Sequence, residues 1–416
     1  MSFDIALSGI QAINDSLDVT SHNIANAGTY GYKSSRANFS TLVAGNQVTG
    51  VTVGSTTQNI GLSGGILNTG RSLDASINGR GFFITKAADG SAQYTRVGIF
   101  DTSKDGYLVD ASGRKAQGYA ITPPSTTLGA QGDIKIPTGQ IPAVLSDKVN
   151  YVGNLSADWK VTAFDAASVT PTTPPDASTF SMSKASVIYD TLGGKHTLTQ
   201  YFSNTGPGAV DVNFVIDGVP AGVTSLAFST TTGQMTSPDP SDPAVAGTFD
   251  LDLSAFDTAA AGFTSGATLT GSMAVNYTGT TYFAGEATTS TNNANGYASG
   301  TFSGVDLNTD GSVVAKYSNG EKQIIGRLAL ATFPDEGSLT SISDTSWVES
   351  NTSGTPLVSA PGVGMAGSLT VSSLEQSNVD ITSELVGLMT SQRNYQANSK
   401  VIQTESTMLQ SLMQAI

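Results

Sequence analysis

The stretch ITSELVGLMTSQRNYQANSKVIQTESTMLQSLMQAI, residues 381 to 416, decides how this chain is read. Alternating steps of four and three link Ile381, Leu385, Leu388, Gln392, Tyr395, Ser399, Ile402, Ser406, Leu409, Met413 and Ile416. Eight of these eleven are apolar, so the stretch carries a sustained stripe. Such steps keep side chains on one face of an α-helix. Their 3.5-residue period suits a helix–helix seam. Asp380 stands where an N-cap belongs, and Glu384 falls in the first turn, where a negative charge suits the helix dipole. No Pro or Gly follows Gly387, so the spacing predicts a helix to the last residue.

The other end of the chain carries the same pattern. Phe3, Ala6, Ile10, Ile13, Leu17, Thr20 and Ile24 form a stripe that stops at Asn26-Ala27-Gly28. Two amphipathic helices at opposite ends invite pairing. The plain alternative is that each packs on a globular domain of its own. Against it, Val386, Met389, Val401, Met408 and Leu412 widen the apolar face of the second helix beyond what one partner covers. The rest of the cover is expected from other copies of the chain, in a polymer whose ends order on assembly. The expected assembly seam is Ile10, Ile13, Leu17 and Ile24 with Ile381, Leu385, Leu388, Tyr395, Ile402 and Leu409.

Between residues 70 and 355 the signals change to those of antiparallel β-structure. Asn78-Gly79, Asp89-Gly90, Asp105-Gly106, Asp217-Gly218, Asp310-Gly311 and Asn319-Gly320 are hairpin signals. Polar and apolar residues alternate in His196–Phe202 and Lys322–Phe333. Residues 151–297 hold three basic residues against twelve acidic, so nine of the chain's fourteen net negative charges fall there. We read that block as a solvent-facing β-domain inserted into another, built from residues 71–150 and 298–353. Residues 31–70 and 354–374, rich in Gly, Ser and Thr, read as connectors. The fold class expected is multi-domain α+β: paired coiled-coil-like terminal helices, 1–30 and 375–416, and two mainly antiparallel β-domains.

Composition excludes several functions. A net charge of −14 with no basic run is repelled by nucleic acid and by anionic membrane. There is no Cys, hence no disulfide or thiolate chemistry. No stretch of about 18 apolar residues offers a membrane span. The N-terminal residues lack the basic start and apolar run of a secretory signal.

Motifs of chemistry fail on inspection. His22 and His196 are the only histidines and have no matching ligand set. Asp306, Asn308, Asp310 and Gly311 imitate a Ca²⁺ loop, but Tyr317 stands where its bidentate Glu belongs. Asp101, Ser103, Asp105 and Gly106 fail likewise at Ser112. Gly79-x-Gly81 is too short for a dinucleotide fingerprint. No acid pair stands beside an aromatic platform. We expect no catalytic residue, cofactor or metal. The rival class is a secreted β-rich adhesin or enzyme.

Ser21–Lys33, SHNIANAGTYGYK, resembles the N-terminal signature of the flagellar rod, hook and hook-associated protein family. The residues carrying it are Asn23, Ile24, Ala25, Asn26, Gly31, Tyr32 and Lys33, with His22 where Asn is usual. Leu374–Thr404 resembles the family's closing block through Asn378, Val379, Arg393, Tyr395, Ala397, Asn398 and Lys400. Thr69–Thr85 and Tyr94–Tyr119 match between them. Val187–Phe202 and Gly311–Phe333 resemble blocks of the hook members, whereas the shorter rod members lack a large insertion, which leaves a distal rod or other axial flagellar protein as the alternative. Residues 203–300 match nothing specific.

The resemblance implies a tube. The terminal helices would form its inner wall around a channel, the 71–150 and 298–353 domain a middle shell, and residues 151–297 the outside. It implies a bendable joint that transmits torque, assembled from copies of this chain outside the cell. The partners it implies are the distal rod, the hook cap, the hook–filament junction protein and the flagellar type III export apparatus, with export that needs no cleaved signal.

Overall fold

The computed structural model describes residues 2–44, 47–123, 125, 127–237, 247–254, 256, 267–269 and 271–415. Ile416, the last position of the predicted stripe, lies outside the described residues. Helix α1 spans Ser2–Ala25 and helix α2 spans Ile381–Ala415. Asp380 caps α2, its Oδ1 accepting from the Thr382 amide at 2.9 Å. Between the helices the regular structure of the described residues is β-strand, apart from short 3-10 turns at Ala166–Ser168 and Glu336–Ser338. Two compact units result. Unit 1 is 1–138, 303–316 and 322–416, and unit 2 is 139–302 with 317–321.

Unit 1 contains the helix pair and a sheet. Hairpin strands β1 (Ser35–Ala44) and β2 (Gln47–Gln58) lie against α1. Residues 31–70 therefore are not a loose connector. They hold this hairpin and β3 (Ile66–Asn68), which pairs with Ser373–Glu375. The reading of composition missed them for a physical reason. Hydroxyl and glycine side chains alternate too little in hydropathy to mark a strand, and two register shifts break the period. In 354–374, the short strands Leu357–Ser359 and Ser368–Val371 correct the reading likewise.

The sheet of unit 1 runs Ser312–Tyr317, Lys322–Leu328, Lys115–Ala120, Phe82–Lys86, Ala92–Thr95, Ser346–Val348, Thr340–Ile342. Its core gathers Phe82, Tyr94, Phe333 and Trp347, with Phe82 and Trp347 ring centroids 5.5 Å apart. The Trp347 indole donates to Gln58 Oε1 at 2.8 Å and so ties the end of β2 to this core.

Unit 2 packs two sheets on one core. One sheet is the antiparallel series Met182–Tyr189, Lys195–Gly206, Ala209–Ile216, Val219–Phe228 and Met235–Ser237. Asp217 and Gly218 join its third and fourth strands with φ of 47° and 84°, the two positive values that a two-residue I′ hairpin requires. The other sheet centres on Lys148–Ser156. That strand pairs in parallel with Ser272–Asn276 and Thr281–Phe283 and antiparallel with Thr288–Ala294. Phe202, Phe214, Tyr151 and Tyr277 fill the interior. The Tyr277 hydroxyl donates to Gln200 Oε1 at 2.6 Å, and burial pushes its pKa well above the ordinary value.

Phe202 has no exposed surface in this core. Phe202→Ala is expected to cost unit 2 about 3–5 kcal/mol. The chain's two tryptophans fall one in each unit, so denaturant unfolding read through Trp159 in a Trp347→Phe background isolates unit 2. A loss below about 1 kcal/mol would show that the two sheets do not share a packed interior.

Candidate functional site

Helices α1 and α2 pack antiparallel, and two contacts fix their register. Gly9 lies against Asn398, whose Nδ2 is 3.0 Å from where a Cβ on Gly9 would sit. Fourteen residues further along α1, Asn23 Nδ2 donates to Glu384 Oε1 at 2.8 Å, fourteen residues back along α2. The buried face of α1 is Ala6, Gly9, Ala12, Ile13, Thr20 and Asn23. It is a face of small residues, which lets the backbones approach. Of the predicted seam, Ile13 is buried and Ile10, Leu17 and Ile24 are half-buried. On α2, Leu388 and Ile402 turn toward α1, while Ile381, Leu385, Tyr395 and Leu409 remain exposed.

The register leaves α2 longer than its partner. Counting seven residues each way from the Gly9–Asn398 contact sets Ser2 level with Glu405. Residues 406 to 415 then extend past the start of α1 by about 15 Å, at 1.5 Å per residue. In that extension Met408, Leu409, Leu412 and Met413 are 56% to 80% exposed. No described element of the chain packs over them. Burying a large apolar side chain is worth roughly 1.5–3 kcal/mol, and none of that is realised for these four residues within the described structure.

The signature residues fall into two groups. Asn23, Gly31, Tyr32, Lys33 and Asn378 meet where α1, the start of β1 and the entry to α2 converge. The amide of Asn23 donates to Ser35 O and to Glu384, and accepts from the Ser35 amide at 2.9 Å and from Tyr32 Oη at 3.3 Å. Asn378 accepts from the Ser34 amide at 2.7 Å and donates to Asn59 O and Leu62 O. Asn26 closes the end of α1 by donating to His22 O. Ala25, Val379, Arg393 and Ala397 take no side-chain part in this joint, and Arg393 and Ala397 are exposed along α2.

Three residues at the joint are charged and almost fully buried. Lys33 Nζ is 2.6 Å from Glu375 Oε1 and also donates to Leu62 O at 2.7 Å. Arg96 Nη1 reaches Glu375 Oε2 at 3.4 Å, and its guanidinium lies 5.3 Å from the Phe82 ring centroid. Glu375 also accepts from the Gly64 amide at 3.1 Å, and its carbonyl accepts from Gly31 N at 2.8 Å. Burial pulls the Lys33 ammonium and the Arg96 guanidinium below their ordinary pKa values, against the upward pull of Glu375. The sequence signature pointed to Lys33 but not to Glu375 or Arg96. The Glu of LEQSNVD and the single Arg of YTRVGIF were the signals available.

Nothing in this arrangement resembles a reaction centre. The joint is built of ion pairs and hydrogen bonds, with Arg96 Nε buried and left without a hydrogen-bond partner, and no nucleophile is set beside a base among the described residues. In unit 2, His196 lies between Asp190 at 3.2 Å and Asp217 at 2.6 Å. Among the described residues no cluster of His, Asp and Glu forms a metal site, and no helix is long and apolar enough to cross a membrane.

Comparison with known proteins points one way. Residues 76–157 match the model of the flagellar hook protein FlgE/F/G D1 domain. Residues 154–297 match that of the flagellar basal body protein FlaE D2 domain, and residues 371–415 the flagellar basal body rod FlgEFG protein C-terminal region. The chain is 33% identical to the flagellar hook protein FlgE of Salmonella typhimurium, with 99% of each chain covered. It is 32% identical to the Escherichia coli protein of that name, again over 99% of each. The Treponema pallidum protein is 30% identical, over 98% of this chain and 97% of the other. Among solved structures, the Helicobacter pylori flagellar hook protein FlgE2 superposes with a TM-score of 0.51 at 13% identity. It covers 74% of this chain and 100% of that one, a likeness of fold.

Glu375→Gln would remove the carboxylate that Lys33 and Arg96 both contact, leaving Glu336 as the acid that still acts on the two buried cations. We expect a loss of about 3–5 kcal/mol from unit 1, measured by denaturant unfolding through Trp347 in a Trp159→Phe background. Gly31→Ala should cost about 1–2 kcal/mol for its left-handed backbone, φ 68°, and more from the approach of a Cβ to Val97 at 3.0 Å. Wild-type stability in Glu375→Gln would mean that the ionic joint does not hold the two ends together.

Proposed function

The chain belongs to the flagellar hook protein family, and on that premise we propose how it does the family's work. It is a structural subunit that self-assembles into the flagellar hook, an extracellular part of the flagellum. The family is structural and its members are not enzymes.

The reading beyond that is ours. The helix pair forms the inner wall of a tube, and neighbouring copies bury the apolar face that α2 leaves bare. The observation that carries this is the exposed apolar set Ile381, Leu385, Met389, Val401, Met408, Leu409 and Leu412 on a helix already packed against α1. Burial of such a row resists separation. Residues 71–150 and 298–353 would form a middle shell. Residues 151–297 would lie outermost and meet their neighbours through Ser, Thr, Asn and Asp, whose water-mediated contacts exchange at little cost. Firm inner contacts with sliding outer ones suit a joint that bends while it transmits torque. Seating on the distal rod, growth under the hook cap, closure by the hook–filament junction protein and passage through the type III export apparatus without a cleaved signal complete the proposal.

Leu409 is 56% exposed and lies in the unpaired extension of α2. Leu409→Asp should therefore leave the monomer's melting temperature within about 2 °C of the parent, since surface changes rarely exceed 0.5 kcal/mol. It should abolish tubes, because an uncompensated buried charge costs several kcal/mol at every copy. Leu388→Asp, on the face turned to α1, should loosen the helix pair as well. Electron microscopy and calorimetry on one preparation give both readouts. Normal tubes from Leu409→Asp would remove α2's bare face from the assembly contacts.

A further inference from the structure

The two helices carry opposite charges on their outward faces. On α1, Asp4, Asp15 and Asp18 are exposed, and spacings of eleven and fourteen residues bring them close to one line. On α2, Arg393 and Lys400 are exposed and seven residues apart, in line two turns along. At 100° per residue they fall about 160–180° from the Leu388, Ser391, Asn398 and Ile402 face that turns to α1. Among the described residues, Asp15, Asp18, Arg393 and Lys400 have no ion-pair partner in the chain. Several other charges in unit 1 are paired, as in Lys33–Glu375, Arg80–Glu336 and Arg114–Asp110. On the outward faces of the helix pair these four residues carry one sign on each helix, acidic on α1 and basic on α2.

We propose that the occupant of α2's outward face is a second copy of this chain, docked by its α1 so that Asp15 and Asp18 meet Arg393 and Lys400. Val386, Met389 and Val401 flank the basic ridge, so the contact pairs an apolar surface with two ionic anchors that set its register. An acidic face on one helix and a basic face on the other make the contact heterologous. Each copy then offers its second face to the next, and growth continues along a helix rather than closing into a dimer. Like faces repel, which disfavours the symmetric pairing of two α2 helices. This inference rests on the assembly reading above and specifies which faces meet.

The test is a charge exchange in the full chain. Asp15→Lys with Asp18→Lys, and separately Arg393→Glu with Lys400→Glu, should each raise the critical concentration for tube formation by about tenfold or more, from like-charge contact at every interface. Combining all four substitutions should return it to within about threefold of the parent. Mixing the two double variants should give tubes where each alone gives none. Circular dichroism of each monomer controls for loss of the helix pair. If helicity falls, Asp15→Asn with Asp18→Asn against Arg393→Gln with Lys400→Gln repeats the cycle without reversing charge. Equal critical concentrations for parent and both double variants would overturn the proposed contact, as would a fourfold variant no better than the doubles. Leu409→Asp in the same assay separates the outcomes. If it alone blocks tubes, assembly through α2 stands and the ionic register is wrong.

Discussion

Glu375 is the point on which the two ends of this chain meet. Its carboxylate lies between Lys33 and Arg96, and all three side chains are about 1–2% exposed. Taking one carboxylate and two cations out of water costs several kcal/mol per ion. The cost is tolerable because each partner is also hydrogen-bonded or stacked: Lys33 to Leu62 O, Glu375 to the Gly64 amide, and Arg96 over Phe82. The arrangement leaves little freedom. Lys33 precedes the hairpin by two residues, Glu375 precedes α2 by six, and Arg96 belongs to the β-core. Fixing them together fixes where both terminal helices begin their path from the sheet.

The neutral amides of Asn23 and Asn378 extend the same constraint. Each uses donor and acceptor at once, so neither Asp nor Gln could replace it without leaving a buried group unpaired or displaced. The result is a stiff joint at one end of a helix pair whose other end is bare. The apolar residues of α2 beyond that pairing remain exposed. For a subunit whose family assembles into a hook, this is a workable division: the single chain orders its own seam without covering it.

The helices were legible because their signal is local. Steps of three and four, an N-cap at Asp380 and the stop after Ala25 are properties of consecutive residues, and so were the Asp-Gly and Asn-Gly turns. The strands of 35–58 were not legible. Their Ser, Thr and Gly positions pair across a bulged hairpin that lies on α1, so what specifies them is the ladder and the helix beneath, and no local alternation marks it.

The sequence by itself determined the two amphipathic helices, the β-rich middle, the acidic bias of residues 151–297 and the motif residues around Asn23 and Asn378. It could do so because each depends on residue type and spacing along the chain. Only the tertiary structure decided which face of α1 is buried. Ala6, Gly9 and Ala12 are buried and Phe3 is not, and at Gly9 the close approach of Asn398 from the partner helix leaves little room for a side chain. Only the tertiary structure joined Lys33 to Glu375, 342 residues away in the chain, and added Arg96 to them. A buried charge is recognised by its partner, and no local pattern names a partner at that separation.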